Sequence, residues 1–167
     1  MTPGNDPVKP HHHIISMLVE DKPGVLQRIS CVFSKRGFNM ETITVGRTEK
    51  PGVSRIIITT TGDDETTEQV VKQVDKLIDV LKVWEMGRNE SFVREIALFK
   101  VNVKGPDART ELMNYAKIYG ARIDEARPTF MMIELTGTPE KVDEFESVLK
   151  PFGIMEMVRT GATAISK

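Results

Sequence analysis

Apolar positions along this chain switch between two spacings, and the switches outline an ordered set of elements. Ile14 to Val19 reads as a strand, closed by Glu20-Asp21-Lys22-Pro23-Gly24. Val25, Leu26, Ile29, Val32 and Phe33 then share one face at helical spacing, and Gly37 is the expected left-handed stop. Asn39 to Gly46 and Ser54 to Thr61 are β-branched runs on either side of Glu49-Lys50-Pro51-Gly52, which reads as a hairpin. Asp63, Asp64 and Glu65 open a second helix with an apolar stripe of Val70, Val71, Val74, Leu77 and Ile78. A strand from Val80 to Met86 closes the set, giving the order β-α-β-β-α-β.

The second half repeats that order. Arg94 to Val103 alternates as a strand, and Pro106-Asp107 opens a helix that Gly120 stops. Arg122 to Arg127 and Phe130 to Thr136 form a hairpin, and Thr138-Pro139-Glu140 supplies a hydroxyl cap with proline in the first turn. Val142, Phe145, Val148, Leu149 and Phe152 make the next stripe, and Ile154 to Thr160 is the closing strand. The expected fold is therefore α+β, two tandem ferredoxin-like βαββαβ domains. The expected boundaries are a leader over 1–13, a first domain over 14–87, a second over 93–160 and a tail over 161–167, with Gly87-Arg88-Asn89-Glu90 as linker.

The first sheet departs from simple alternation. Ile14-Ile15, Met17-Leu18-Val19 and Ile56-Ile57-Ile58 are apolar on both faces. At about 25 cal/mol per Å², a whole face of such residues is not left in water. The expected cover for the open face or edge is another chain, with the second half of the same chain as the alternative.

Composition narrows the function classes. The 167 residues are 40% hydrophobic and 28% charged, enough to bury cores and unlike a disordered chain. Apolar runs stop at three or four residues, too short for a membrane span or a secretory segment. Lys and Arg number 23 against 24 Asp and Glu, so no basic field holds a nucleic acid or a membrane surface. Cys31 is alone, which excludes an internal disulfide and suits a reducing cytoplasm. All three histidines sit at 11 to 13, as a metal tract, a tag remnant or the polar start of a strand. Consecutive strand residues point to opposite sides, so the three do not converge on one ion.

The chemically informative segment is Glu20 to Leu26, which leaves a strand and enters a helix. Amides near Gly24, Val25 and Leu26 point out of a helix N-terminus, an end that attracts a small carboxylate or phosphate. Gly24 allows close approach of a ligand, and Pro23 pre-sets the backbone. Asn39 carries an amide that donates and accepts, Asp21 suits an ammonium, and Met40, Ile43 and Val25 are candidates to line a small apolar pocket. Such turns are also commonly nothing more than turns.

Two blocks, Ile15-Ser16-Met17-Leu18-Val19-Glu20-Asp21-Lys22-Pro23-Gly24-Val25-Leu26 and Phe33-Ser34-Lys35-Arg36-Gly37-Phe38-Asn39-Met40-Glu41, resemble the regulatory small subunit of acetolactate synthase (acetohydroxyacid synthase). The resemblance continues through Thr61-Gly62-Asp63, Lys76 to Val83, Arg94-Glu95-Ile96-Ala97-Leu98 and Arg159-Thr160-Gly161. It implies that the first domain is an ACT domain, an amino-acid-sensing module whose effector sits between the first loop of one subunit and the second strand of its neighbour. Carried onto this sequence, the effector-binding residues are Asp21, Gly24, Val25 and Leu26, with Asn39, Met40 and Ile43 opposite.

The resemblance further implies a homodimer or higher oligomer built through the ACT domain, a branched-chain amino acid as effector, with valine first, and a large catalytic subunit as partner. Thiamine diphosphate, magnesium and FAD belong to that partner, and this chain carries no cofactor and no catalytic residue of its own. Asp21 departs from the Asn of many members and favours the effector's ammonium over its carboxylate. The tail also ends where other members extend. The alternative function is a stand-alone amino-acid-sensing protein that acts on another partner. An enzyme reading rests only on Glu20 and Asp21, with no base, metal cage or cofactor loop beside them. Lys35-Arg36-Gly37-Phe38 mimics an RNA-binding motif but falls at a helix end, and Asn89-Glu90-Ser91 is a sequon without signs of secretion.

Overall fold

Both halves adopt the order that their periodicity predicts. The computed structural model describes residues 11–87 and 90–167; positions 1–10 of the expected leader, and Arg88 and Asn89 of the expected linker and sequon, lie outside the described residues. The chain divides into two compact units, one running through Phe92 and including Ala164–Lys167, the other Val93–Thr163.

The first unit contains β1 (His11–Glu20), α1 (Val25–Lys35), β2 (Met40–Arg47), β3 (Val53–Gly62), α2 (Asp64–Val74) and β4 (Val80–Glu85). Its strands lie in the order β2-β3-β1-β4, with antiparallel neighbours throughout. Alternate residues Ile15, Met17 and Val19 of β1 and Ile56 and Ile58 of β3 meet Val25, Ile29 and Phe33 of α1 and Val70 and Val74 of α2. Phe33 is fully buried and stands edge-on to Phe38 at 6.5 Å between ring centres. Its truncation to alanine costs about 3–5 kcal/mol.

The second unit repeats the plan with β5 (Ser91–Asn102), α3 (Gly105–Tyr119), β6 (Arg122–Ala126), β7 (Phe130–Gly137), α4 (Pro139–Leu149) and β8 (Ile154–Arg159), in strand order β6-β7-β5-β8. The duplication extends to its irregularities. The central ladder of each unit slips by one residue against the last strand, leaving Leu81 extra in β4 and Met155 extra in β8. The hairpin ladders slip likewise, at Glu41 in β2 and Asp124 in β6. Such bulges bend an edge strand and re-aim a side chain.

Four expectations change. First, β1 begins at His11 rather than at position 14, because His11, His12 and His13 pair with Gly62, Thr61 and Thr60 of β3. His13 is buried, with Nδ1 2.6 Å from Glu85 Oε1 and Nε2 3.2 Å from the Gly62 carbonyl oxygen, so these histidines are the polar start of a strand. Second, the tail contains a ninth strand, β9 (Thr163–Ser166), which pairs β5, and the Lys167 N–H donates to the Glu90 carbonyl. Third, Ile14, Ser16 and Ile57, on the face of the first sheet away from the helices, are buried rather than open, and the half-exposed Val45 lies on β2, one of the sheet's two edge strands. Fourth, α2 stops at Val74, and Ile78, predicted in its apolar stripe, is 92% exposed in the turn before β4.

Candidate functional site

The loop between β1 and α1 is held from both sides by backbone hydrogen bonds. Glu20 N–H donates to the Asp79 carbonyl and Asp21 N–H to the Gly52 carbonyl, each at 2.9 Å. Gly24, with φ +83°, turns the chain into α1 as its N-cap, and no side chain caps the helix. The first turn also carries no acidic residue, so its amides face outward without a built-in anion. The helices α2 and α4 differ: Asp63 accepts from the Thr66 N–H and Thr138 from the Lys141 N–H.

The charges around this turn come from three elements. Arg28, one helical turn after Gly24, donates from Nε to Asp79 Oδ2 at 2.7 Å, with Nη2 2.6 Å from the same oxygen. Its Nη1 lies 3.2 Å from where a Cβ on Gly24 would stand. The guanidinium is therefore pinned beside the amide donors, and its field adds to theirs. Asp21 is about half exposed and lies 3.8 Å from Arg47 Nε at the end of β2. Lys22 binds Glu20 at 2.7 Å; that hydrogen bond, then the carboxylate's charge, pushes the ammonium pKa upward. Each of the three cations is thus paired with a carboxylate, while the bare amides at the start of α1 can donate to a carboxylate and the half-exposed Asp21 can accept from an ammonium.

Of the residues expected to share this site, the structure gathers only the loop group. Asp21 and Gly24 lie at its surface, Leu26 is 42% exposed, and Val25 is buried in the core, leaving its backbone amide at the helix start. Met40 and Ile43 belong to β2, and Asn39 immediately precedes it; Met40 pairs with Thr60 and Ile43 with Ile58 of β3, whereas Glu20 pairs with Val53. From Val53 to Thr60 is about 23 Å at roughly 3.3 Å per residue. Asn39 and Met40 therefore stand at the opposite end of the sheet from the loop of their own chain. Asn39 is exposed, and its carbonyl accepts from Thr60 Oγ1 at 2.7 Å; Met40 and Ile43 pack half-buried on the helical side.

The sequence reading missed Arg28, Asp79 and Arg47. Arg28 was accessible to it, since a residue four after a helix start returns to the first turn. Asp79 was not, because 51 positions separate it from Arg28 in the chain. Among the described residues no three His, Cys, Asp or Glu side chains group as for a metal ion, and no helix is long and apolar enough to cross a membrane.

These two βαββαβ units give the chain the ferredoxin-like architecture of ACT-type domains. Residues 15–82 match the family described as "AHAS small subunit-like ACT domain", and residues 94–167 the family "Small subunit of acetolactate synthase". The chain belongs to the acetolactate synthase small-subunit family. It is 46% identical over 160 residues to the probable acetolactate synthase small subunit of Methanothermobacter thermautotrophicus, covering 96% of this chain and 95% of that one. It is 40% identical over 155 residues to the acetolactate synthase small subunit of Mycolicibacterium smegmatis, covering 93% and 91%. The crystal structure of the acetolactate synthase small subunit from Thermotoga maritima superposes with a TM-score of 0.87 at 37% identity, over 94% of this chain and 98% of that chain.

Proposed function

We propose that this chain is a regulatory, non-catalytic subunit that binds a branched-chain amino acid, valine first, and confers feedback inhibition on a large acetolactate synthase subunit while stimulating it. The large subunit carries the thiamine diphosphate, magnesium and FAD, and the pair works in the cytoplasm. The observation that supports this reading most is the division of the candidate site between the two ends of the open-edged sheet. A two-fold axis through paired β2 edges runs the two copies of β2 antiparallel. The Asn39 end of one copy then lies beside the Arg47 end of the other, next to which Asp21 stands. Each site is completed by the neighbouring chain, so effector binding and assembly are linked.

In this reading the α1 amides and Arg28 hold the effector's carboxylate, Asp21 and Asn39 its ammonium, and Leu26, Met40 and Ile43 its aliphatic side chain. Calorimetric titration with valine, leucine and isoleucine tests it, together with activity of the purified large subunit with and without this chain. Saturable binding with valine tightest, and raised activity that valine then suppresses, is expected. No heat with any of the three amino acids, from a folded protein, would remove the effector reading.

A further inference from the structure

Asp79 is a buried carboxylate in the turn immediately before β4, and it reaches both ends of the loop between β1 and α1. Its carbonyl accepts from the Glu20 N–H, where the loop leaves β1. Its Oδ2 accepts from both Nε and Nη2 of Arg28, one helical turn into α1. The second unit separates these two roles, because it repeats the first and lacks the second. There the Asn102 N–H donates at 3.0 Å to the carbonyl of Gly153, the residue immediately before β8. The backbone tie therefore needs no side chain at that position, and glycine supplies none. The second unit also keeps a left-handed glycine, Gly105, with an arginine four residues on, but Arg109 Nη2 donates to the Arg127 carbonyl. Its helix start carries an acid of its own, Asp107, whereas the first turn of α1 carries none. The buried carboxylate before the last strand and the acid-free helix start thus occur together in one unit and are missing together from the other.

Arg28 is about half exposed, so without an anchor its long side chain would spread over many rotamers in water. Asp79 takes Nε and Nη2 and leaves Nη1 standing 3.2 Å from where a Cβ on Gly24 would be. Gly24 is the N-cap, so that nitrogen lies beside the uncapped amides of α1. Fixed donors of this kind favour a ligand carboxylate over a neutral carboxamide, whose oxygen carries no charge. We infer that Asp79 is a positioning residue of the effector site: it holds Arg28 Nη1 over Gly24, so that the site selects amino acids by their free carboxylate. This rests on the effector reading above and adds which buried residue sets that selectivity.

The test compares, by calorimetry, binding of valine and of valinamide, in which a neutral amide replaces the carboxylate. The full chain is measured unaltered and with Asp79→Ala, Asp79→Asn, or Arg28→Met together with Asp79→Leu, each alongside its own denaturant unfolding curve. The unaltered chain is expected to prefer valine. Asp79→Ala should lower valine affinity about ten-fold or more and leave valinamide affinity nearly unchanged, so that the preference shrinks. Asp79→Asn, which keeps an acceptor oxygen for Arg28, should fall between the two. Removing the whole pair in the double variant should regain stability without regaining the preference, and that variant decides the outcome if Asp79→Ala does not fold. Both ligands weakened alike in Asp79→Ala, or a preference restored along with stability in the double variant, makes Asp79 a fold residue only. Either result overturns the inference and leaves the effector reading standing, as does equal binding of valine and valinamide by the unaltered chain. If the unaltered chain binds none of valine, leucine and isoleucine, the effector reading falls and this inference falls with it.

Discussion

Arg28 and Asp79 join the start of α1 to the turn before β4 through one carboxylate oxygen, at 2.7 Å from Nε and 2.6 Å from Nη2. The pair leaves Nη1 turned toward Gly24. Because Asp79 is only 7% exposed, the guanidinium both neutralises a buried carboxylate and lends charge to the helix end. Arg28→Met is expected to cost about 1–2 kcal/mol in denaturant unfolding, a buried-pair penalty reduced by the partial exposure of the arginine. The same variant should weaken valine binding roughly ten-fold or more through loss of a charge-assisted contact, measured by calorimetry.

Gly24 separates backbone strain from site chemistry. Gly24→Ala forces a Cβ onto φ +83° and is expected to cost about 1–2 kcal/mol of stability. Gly24→Asp adds a carboxylate within reach of the Arg28 guanidinium and the bare amides, which competes with the effector's own carboxylate. Valine binding should fall much further in Gly24→Asp than in Gly24→Ala. Equal affinities in the two variants would show that the effector does not use this turn.

The β2 edge carries a separate expectation. Val45 is 51% exposed on that edge strand. Val45→Lys should leave the fold of the protomer intact by circular dichroism, reduce the mass in sedimentation to that of a single chain, and abolish valine binding along with assembly. A variant that stays assembled and binds valine normally would mean that the two halves of the site are joined some other way.

In the second unit, Arg159 binds Glu95, which is 2% exposed, and Asp143 at 2.5 Å. Burial works against the charge on Arg159, but hydrogen bonds to Asp143 and Glu95 outweigh it and hold the guanidinium pKa up. Arg159→Met strands the Glu95 carboxylate and is expected to cost about 3 kcal/mol. Replacing Glu95 as well, by Met, should restore most of that loss, a recovery readable in a double-mutant cycle of chemical denaturation.

Asp63 provides a pH dependence. Hydrogen bonds from the Thr66 hydroxyl and then the Thr66 N–H stabilise its ionised form and lower its pKa. A lowered folded pKa makes the cap's contribution complete above the ordinary aspartate value of about 3.9, and lost as pH falls through the lower folded value. The difference in melting temperature between the unaltered chain and Asp63→Ala should therefore be constant near neutrality and shrink on acidification. Asp63→Asn, which caps without titrating, should keep its advantage over Asp63→Ala at low pH.

The order of elements and much of the candidate loop were legible because they depend on near neighbours. Strand and helix periods, Gly37 and Gly120 at helix ends, and the Asp63 and Thr138 caps are all settled within a few residues. The errors lie where distant residues decide. Val74 to Ile78 keeps helical spacing, yet the chain turns at Asp75, and Ile78 faces water. The three histidines were ambiguous alone, and pairing with Thr60, Thr61 and Gly62 made them strand. β9 forms only because β5 offers it a ladder.

The amino-acid sequence by itself determined two βαββαβ repeats, the glycine that starts α1 at a positive φ, and the family to which the chain belongs. Local torsion preferences and the side-chain period act over a few residues and need no partner. Only the tertiary structure decided that Arg28 lies on Asp79, that Asn39 and Met40 stand a sheet's length from their own loop, and that Ile78 is left outside the core. Those outcomes depend on strand order and register, which bring together residues fifty positions apart and hold neighbours in sequence away from each other.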